Sequence, residues 1–130
     1  MIARTPRHLL IGDEQDVSLL RMVLASFPED AVGELLLELP NPECPPIPAP
    51  DGIALRPLPR AVGAPPGVRA CMALGAWIDE WVLDEHASAK GHAIFVGMAG
   101  NPFVERWCEA MLGHHPQLHL HRPWRASAPQ

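Results

Sequence analysis

An α/β fold built on about five parallel strands is predicted by three features of this sequence. Apolar runs ending at glycine or charge are each followed by a segment whose apolar residues recur every three or four positions, the alternation that lays helices over both faces of a parallel sheet. The 130 residues are 48% apolar and 19% charged, enough for one hydrophobic core and too few for two, so the chain reads as a single domain over residues 1–130. Ten of the sixteen prolines fall in residues 40–66, which marks a proline-rich loop between the two halves of the pattern.

The first strand is read at residues 8–12, His-Leu-Leu-Ile-Gly. Val17, Leu20, Leu24 and Phe27 follow at helical spacing, with Asp13, Glu14 and Asp16 at that helix's positive end and Pro28 closing it. Residues 32–39 give a second strand, expected to be covered unevenly because Glu34 and Glu38 share one alternating face. Inside the loop, Ile53 to Leu58 alternates as a brief third strand whose far end the prolines should erode. Val68, Cys71, Met72, Gly75, Ile78 and Val82 predict the longest helix, over residues 68–86. The uncharged run HAIFVGMAG, residues 92–100, suits a central strand covered on both faces. Asn101 is placed to cap the next helix and Pro102 to sit in its first turn, where a missing donor costs little. Val104, Trp107, Cys108 and Met111 form the inward stripe of that helix and Gly113 its end; Leu118 to His121 reads as a last strand.

Charge and cysteine usage narrow the function classes. Fifteen acidic residues against ten basic ones leave a net charge of -5, and the nine arginines form no run, so nucleic acid is a poor partner. Three cysteines without a close pair suit a reducing compartment; the opening residues hold only a four-residue apolar run, so no membrane insertion and a cytoplasmic location are expected.

In a sheet of this kind ligands sit beyond the carboxyl ends of the strands, where the strand order reverses. Two glycine corners fall there. Gly12-Asp13-Glu14-Gln15-Asp16 has one glycine and three carboxylates, which would oppose a phosphate, so it is either a structural turn or a nucleotide contact. Gly97-Met98-Ala99-Gly100 is better shaped for close approach and lies beside the helix start at Asn101, although joining strand to helix also accounts for its glycines.

HLLIGDEQDVSLLRMVLASFPEDAVGELLLELP, then IALRPLPR, HAIFVGMAGNPFVERWCEAML and HRPWR, together nearly the whole chain, resemble the carboxyl-terminal domain of siderophore-interacting proteins, ferric-siderophore reductases related to ferredoxin reductases. The resemblance implies a three-layer, Rossmann-like sheet of the ferredoxin-reductase carboxyl-terminal type. It also implies a lobe that binds NADPH or NADH and passes hydride to FAD held by a separate flavin-binding barrel; no such barrel is recognisable in this chain. In the family the first corner reads approximately Gly-Asp-Glu-Thr-Ala, so Gly12, Asp13 and Glu14 match while Gln15 and Asp16 replace a hydroxyl and a small side chain. The later corner usually reads Gly-Glu-Ala; Gly97 and Ala99 match and Met98 replaces the acid. By the resemblance, Gly12, Gly97 and Gly100 shape a dinucleotide crevice, Arg56 or Arg60 reaches the adenosine side, and Trp124 covers an aromatic ring. The departures at Gln15, Asp16 and Met98 point to a degenerate lobe, inactive alone.

Other readings stay open at this level. The opening also looks like a response-regulator receiver, with Asp51 the nearby acceptor and Lys90 the lysine, though Asp51 precedes a strand instead of ending one. His114, His115, His119 and His121 are dense enough to consider for metal, but lack a tight ligand motif and read as turn and surface histidines. Cys71 and Cys108 lie on apolar helix faces as small hydrophobes, and Cys44 has no base beside it. Trp77 and Trp81, four residues apart on one helix flank, suit a protein interface or a homodimer as well as local core packing.

Overall fold

The computed structural model describes residues 6–41, 43–83 and 91–123. Among these, five strands form one parallel sheet in the order β3-β2-β1-β4-β5. The strands are β1 (Arg7–Asp13), β2 (Gly33–Leu39), β3 (Ile53–Pro59), β4 (His92–Val96) and β5 (Leu120–His121). The helices are α1 (Val17–Ala25), entered through one 3-10 turn (Glu14–Asp16), α2 (Val68–Trp81) and α3 (Pro102–His114). The predicted fold class is therefore observed.

The central position of β1 follows from its composition. Leu9, Leu10 and Ile11 are buried on both sides of the sheet, and β1 pairs with β2 on one side and β4 on the other. Leu9 and Ile11 join Leu36, Ile94, Val96 and the inward faces of α2 and α3 in one core cluster. Leu10 joins Leu35, Leu37, Leu39 and the α1 residues Leu20 and Leu24 in a second, on the opposite face. From β1 the chain steps outward through β2 and β3, then returns to place β4 and β5 on the other side. The reversal lies between β1 and β4, where their carboxyl ends meet. Gly33 opens β2 at φ 148, and a Cβ there would run into the His8 carbonyl of β1, so only glycine fits this register.

Several local expectations are corrected. β2 is buried at every position instead of unevenly, because Glu38 is used inside the protein. β3 keeps its ladder with β2 as far as Leu39 opposite Pro59, so the prolines do not erode its far end; β3 is the sheet edge, where a residue without a donor is tolerated. α2 ends at Trp81, short of residue 86, and residues 84–90, Lys90 among them, lie outside the described residues. β4 stops at Val96, and 97–100 is a turn. Only one face of β4 is fully covered: Ile94 and Val96 are in the core, while Ala93 and Phe95 line an open apolar groove with His8, Phe27, His119 and His121. Of the two alternatives for the tryptophan pair, local core packing is the one observed: Trp77 is buried in the core and Trp81 packs against it under the Arg7 guanidinium, 3.9 Å from its ring centre. The α3 cap is as predicted, Asn101 Oδ1 accepting from the Val104 N–H at 3.1 Å with proline in the first turn, although the helix runs through Gly113 to His114.

Candidate functional site

A cavity of about 700 Å³ opens beyond the carboxyl ends of β1 and β4. Its walls are Asp13, Glu14 and Asp16 from the turn after β1, Arg60, Pro65 and Pro66 from the β3–α2 loop, and Met98 to Phe103 with Arg106 from the start of α3. Of the residues expected to form the site, Asp13, Glu14, Arg60, Met98, Ala99 and Gly100 are brought together here. Gly12 and Gly97 are buried beneath the floor, Arg56 lies away from the cavity, and Trp124 falls outside the described residues.

The floor is closed by a carboxylate. Asp16 is 8% exposed, and its Oδ2 accepts the backbone N–H of Asp13 and that of Met98, each at 2.9 Å. The Asp13 carboxylate in turn accepts the Gln15 N–H at 2.9 Å, so Asp13 and Asp16 cap the 3-10 turn reciprocally. A Cβ at Gly12 or at Gly97 would lie 2.8 Å from that same Asp16 oxygen. Both corner glycines are thus accounted for by close approach of a side chain of the protein itself. Between the two glycines the space is taken by the Asp16 carboxylate.

Met98 carries the strain of this arrangement. It is the one non-glycine at positive φ among the described residues, at 63°; its N–H donates to Asp16 and its side chain packs in the core. Gly100, at φ 80, has open space where a Cβ would stand and is the freer of the two glycines in that corner.

The expected cations are already engaged. Arg60 is 13% exposed and places Nε 2.8 Å from a Glu38 oxygen and Nη2 3.2 Å from a Glu14 oxygen. Glu38, at the end of β2 and 0% exposed, also accepts the N–H groups of Gly67 at 3.0 Å and Ala70 at 2.8 Å. It therefore caps α2 from a neighbouring strand, where Gly67 offers no side chain. Burial raises the Glu14 carboxyl, but the Arg60 bond outweighs it with other contributions and the group titrates below its ordinary value. Arg56 is paired to Glu34 at 2.7 Å on the exposed edge, its side chain 67% exposed. Burial, with the Asp16 and Glu14 charges beside it, pushes the Asp13 carboxyl up to about 6.

The residues that sequence reasoning missed are Glu38, Arg106 and the tie made by Asn101. A glutamate at the end of an apolar strand carries no spacing that reveals its partners. Arg106 sits in the first turns of α3, exposed on the far rim of the cavity; its position four residues after Pro102 was the available signal. Asn101 does more than cap: its Nδ2 donates to the Pro66 carbonyl at 2.8 Å, joining the α3 start to the loop before α2. Asp51, the receiver candidate, lies in the turn before β3, at the end of the sheet away from Asp13, which removes that reading. Among the described residues no three His, Cys, Asp or Glu side chains are grouped to hold a metal. No described helix is long and apolar enough to cross a membrane.

No family model matches the sequence, and no curated protein matches it. Solved structures do. The chain is similar to a siderophore utilization protein from T. fusca, at 18% identity and a TM-score of 0.65 over 99% of this chain and 48% of that one. It is similar to the siderophore-interacting protein SipS from Aeromonas hydrophila, at 15% identity and a TM-score of 0.62, covering 97% of this chain and 48% of that one. A siderophore-interacting protein from Acinetobacter baumannii matches at 12% identity and a TM-score of 0.63, covering 100% of this chain and 52% of that one. The chain spans about half the length of these structures, and the likeness is one of fold.

Proposed function

We propose that this chain is an NAD(P)H-binding-like lobe of the siderophore-interacting flavoreductase type, degenerate at the dinucleotide site and inactive as a reductase by itself. The fold likeness to siderophore-interacting proteins supports the architecture, and the cavity lies where an α/β sheet of this topology receives ligands. The observation that carries the degenerate reading is the Asp16 carboxylate between Gly12 and Gly97.

The residues present do not fit a tightly held dinucleotide. A pyrophosphate needs unengaged amides and a cation at the strand exits. Here Asp16 takes two of those amides, Asp13 and Glu14 add negative charge, and Arg60 is committed to Glu14 and Glu38. Arg106 and the open side of Gly100 remain on the outer rim, contacts that suit weak binding only. Hydride transfer in such a reductase would draw its flavin from a separate domain, and no step is assigned to residues of this chain. Calorimetric titration with NADH, NADPH and their oxidised forms tests the reading. No saturable binding at millimolar nucleotide is expected; saturation below millimolar would refute it.

A second reading, a non-enzymatic domain that pairs with another copy of itself, is favoured by one observation. The face of β4 and β5 beside α1 carries an apolar groove of about 430 Å³. Light scattering over a dilution series tests it, and a monomer at every concentration would remove it.

A further inference from the structure

The apolar groove of about 430 Å³ on the α1 face of the sheet shares no lining residue with the cavity at the strand exits. Its origin is in the topology. Right-handed crossovers put α2 and α3 on the opposite face, in the core cluster of Leu9 and Ile11, while α1 packs over β1 and β2. On the α1 face, His8 and Leu10 of β1 stand in register beside Ala93 and Phe95 of β4, and Phe95 stands beside His121 of β5. Two ring pairs line the groove, His8 with Phe27 at 4.5 Å between centres and Phe95 with His121 at 5.5 Å. Ala93 puts a methyl where its neighbours carry rings, which leaves a hollow.

The polar groups of the hollow are of one kind. Its described lining holds three imidazoles, His8, His119 and His121, and no carboxylate, in a chain whose net charge is -5. Among the described residues none of these rings takes part in a hydrogen bond, whereas the Ser26 hydroxyl is spent on the Val23 carbonyl at 2.6 Å. Burial lowers the His8 pKa, so that ring belongs to the neutral wall, and the exposed His119 and His121 form the polar end. An imidazole N–H donates to an oxyanion in either protonation state. A concave, mostly apolar space of about 300–1,000 Å³ with a few convergent polar groups is the form of a small-molecule site. We propose that this groove binds a small planar aromatic carboxylate, its rings against Phe27, Ala93 and Phe95 and its carboxylate on His119 and His121. The assignment does not depend on the degenerate dinucleotide site, and a second copy of the chain would compete for the same groove.

The test is titration of the full chain with 2-naphthoate, followed through the Ala93 methyl and the His119 and His121 ring resonances. Saturation with a Kd of about 1 mM or tighter is expected. Neutral 2-naphthamide, of the same shape, should bind about tenfold more weakly, the factor set by one charge-assisted bond. His119→Ala combined with His121→Ala, both at exposed positions, should weaken naphthoate by about tenfold or more and the amide by less. Ala93→Leu fills the hollow and should abolish binding of both; if it does not fold, the histidine pair and the amide carry the test. No saturation, equal affinity for acid and amide, or binding unchanged in a folded variant overturns the proposal. Resonances that shift with protein concentration alone, together with a dimer in light scattering, would make a second copy the occupant and overturn it too. So would a nuclear Overhauser contact from the Ala93 methyl to Trp124 in the unliganded chain, which would make the carboxyl-terminal residues the occupant.

Discussion

Replacing Glu38 tests how the β2 exit holds the loop and helix that follow it. Glu38→Ala deletes acceptors for the Gly67 and Ala70 amides and for Arg60 Nε, all of them inside the protein. Bonds to a charged partner contribute about 1.5–3 kcal/mol each, and breaking a buried ion pair costs about 3–5 kcal/mol. Arg60 keeps its Glu14 partner and some solvent, so the lower half of that range applies, and a loss of about 3 kcal/mol is expected. Against a typical domain stability of about 5–15 kcal/mol this is a large fraction, readable as a fall in the urea midpoint at constant slope with tryptophan fluorescence as the probe. Glu38→Gln separates shape from charge. Its oxygen can serve the helix amides, but its NH2 then faces the Arg60 guanidinium, so a loss of about 2 kcal/mol is expected, and Arg60→Met should recover part of it. If E38A costs less than about 1 kcal/mol, or if the E38Q and R60M effects simply add, the account of a charged hub is wrong.

Three further outcomes follow from the same geometry. The Asp13 carboxyl is raised from 3.8 to about 6, so the folded state holds more protons than the unfolded chain in that window; stability should fall as pH rises through it and stay reduced above. Asp13→Asn, which preserves the cap, should therefore gain about 1 kcal/mol at pH 7.5 after allowing for solvent screening and nothing at pH 3.5, as measured by urea unfolding at the two values; an equal effect at both would contradict the assignment. Gly97→Ala should cost about 2 kcal/mol in the wild type, because its Cβ meets the Asp16 carboxylate, and clearly less in a D16A background; a loss of equal size in both would place the clash elsewhere. Burial pushes the Cys71 and Cys108 thiols up to about 12 and about 11, so an aromatic disulfide reagent at pH 8 should titrate one thiol, Cys44, in the native protein and all three in denaturant.

The sheet was legible because its strands carry the signal of double burial. Leu9-Leu10-Ile11 and Leu35-Leu36-Leu37 are continuous apolar runs, and a strand between two neighbours with helices above and below needs no alternation. The α3 start was legible for a local reason: Asn-Pro places a cap and a donor-free first position in adjacent residues. The site was less so. The corner residues were found, yet their purpose depends on contacts across the chain that no spacing encodes: Asp16 to Met98, Glu38 to Gly67 and Arg60 to Glu14. Acidic residues after β1 read equally well as a solvated helix start, and only the fold turns one of them inward. The prolines of β3 misled because proline is judged by its missing donor, and that judgement changes when the strand is at an edge.

The bond from Met98 to Asp16 joins positions 82 residues apart through a side chain three bonds long. A short reach of that kind gives nothing until both strands have arrived, so it adds little to the encounter that brings the chain together and much to the barrier for coming apart. Such a clasp acts on lifetime more than on assembly: cutting it should quicken unfolding while leaving the refolding rate nearly where it was. The exit of the central strands thereby becomes a latch on the native state, fastened last and opened first.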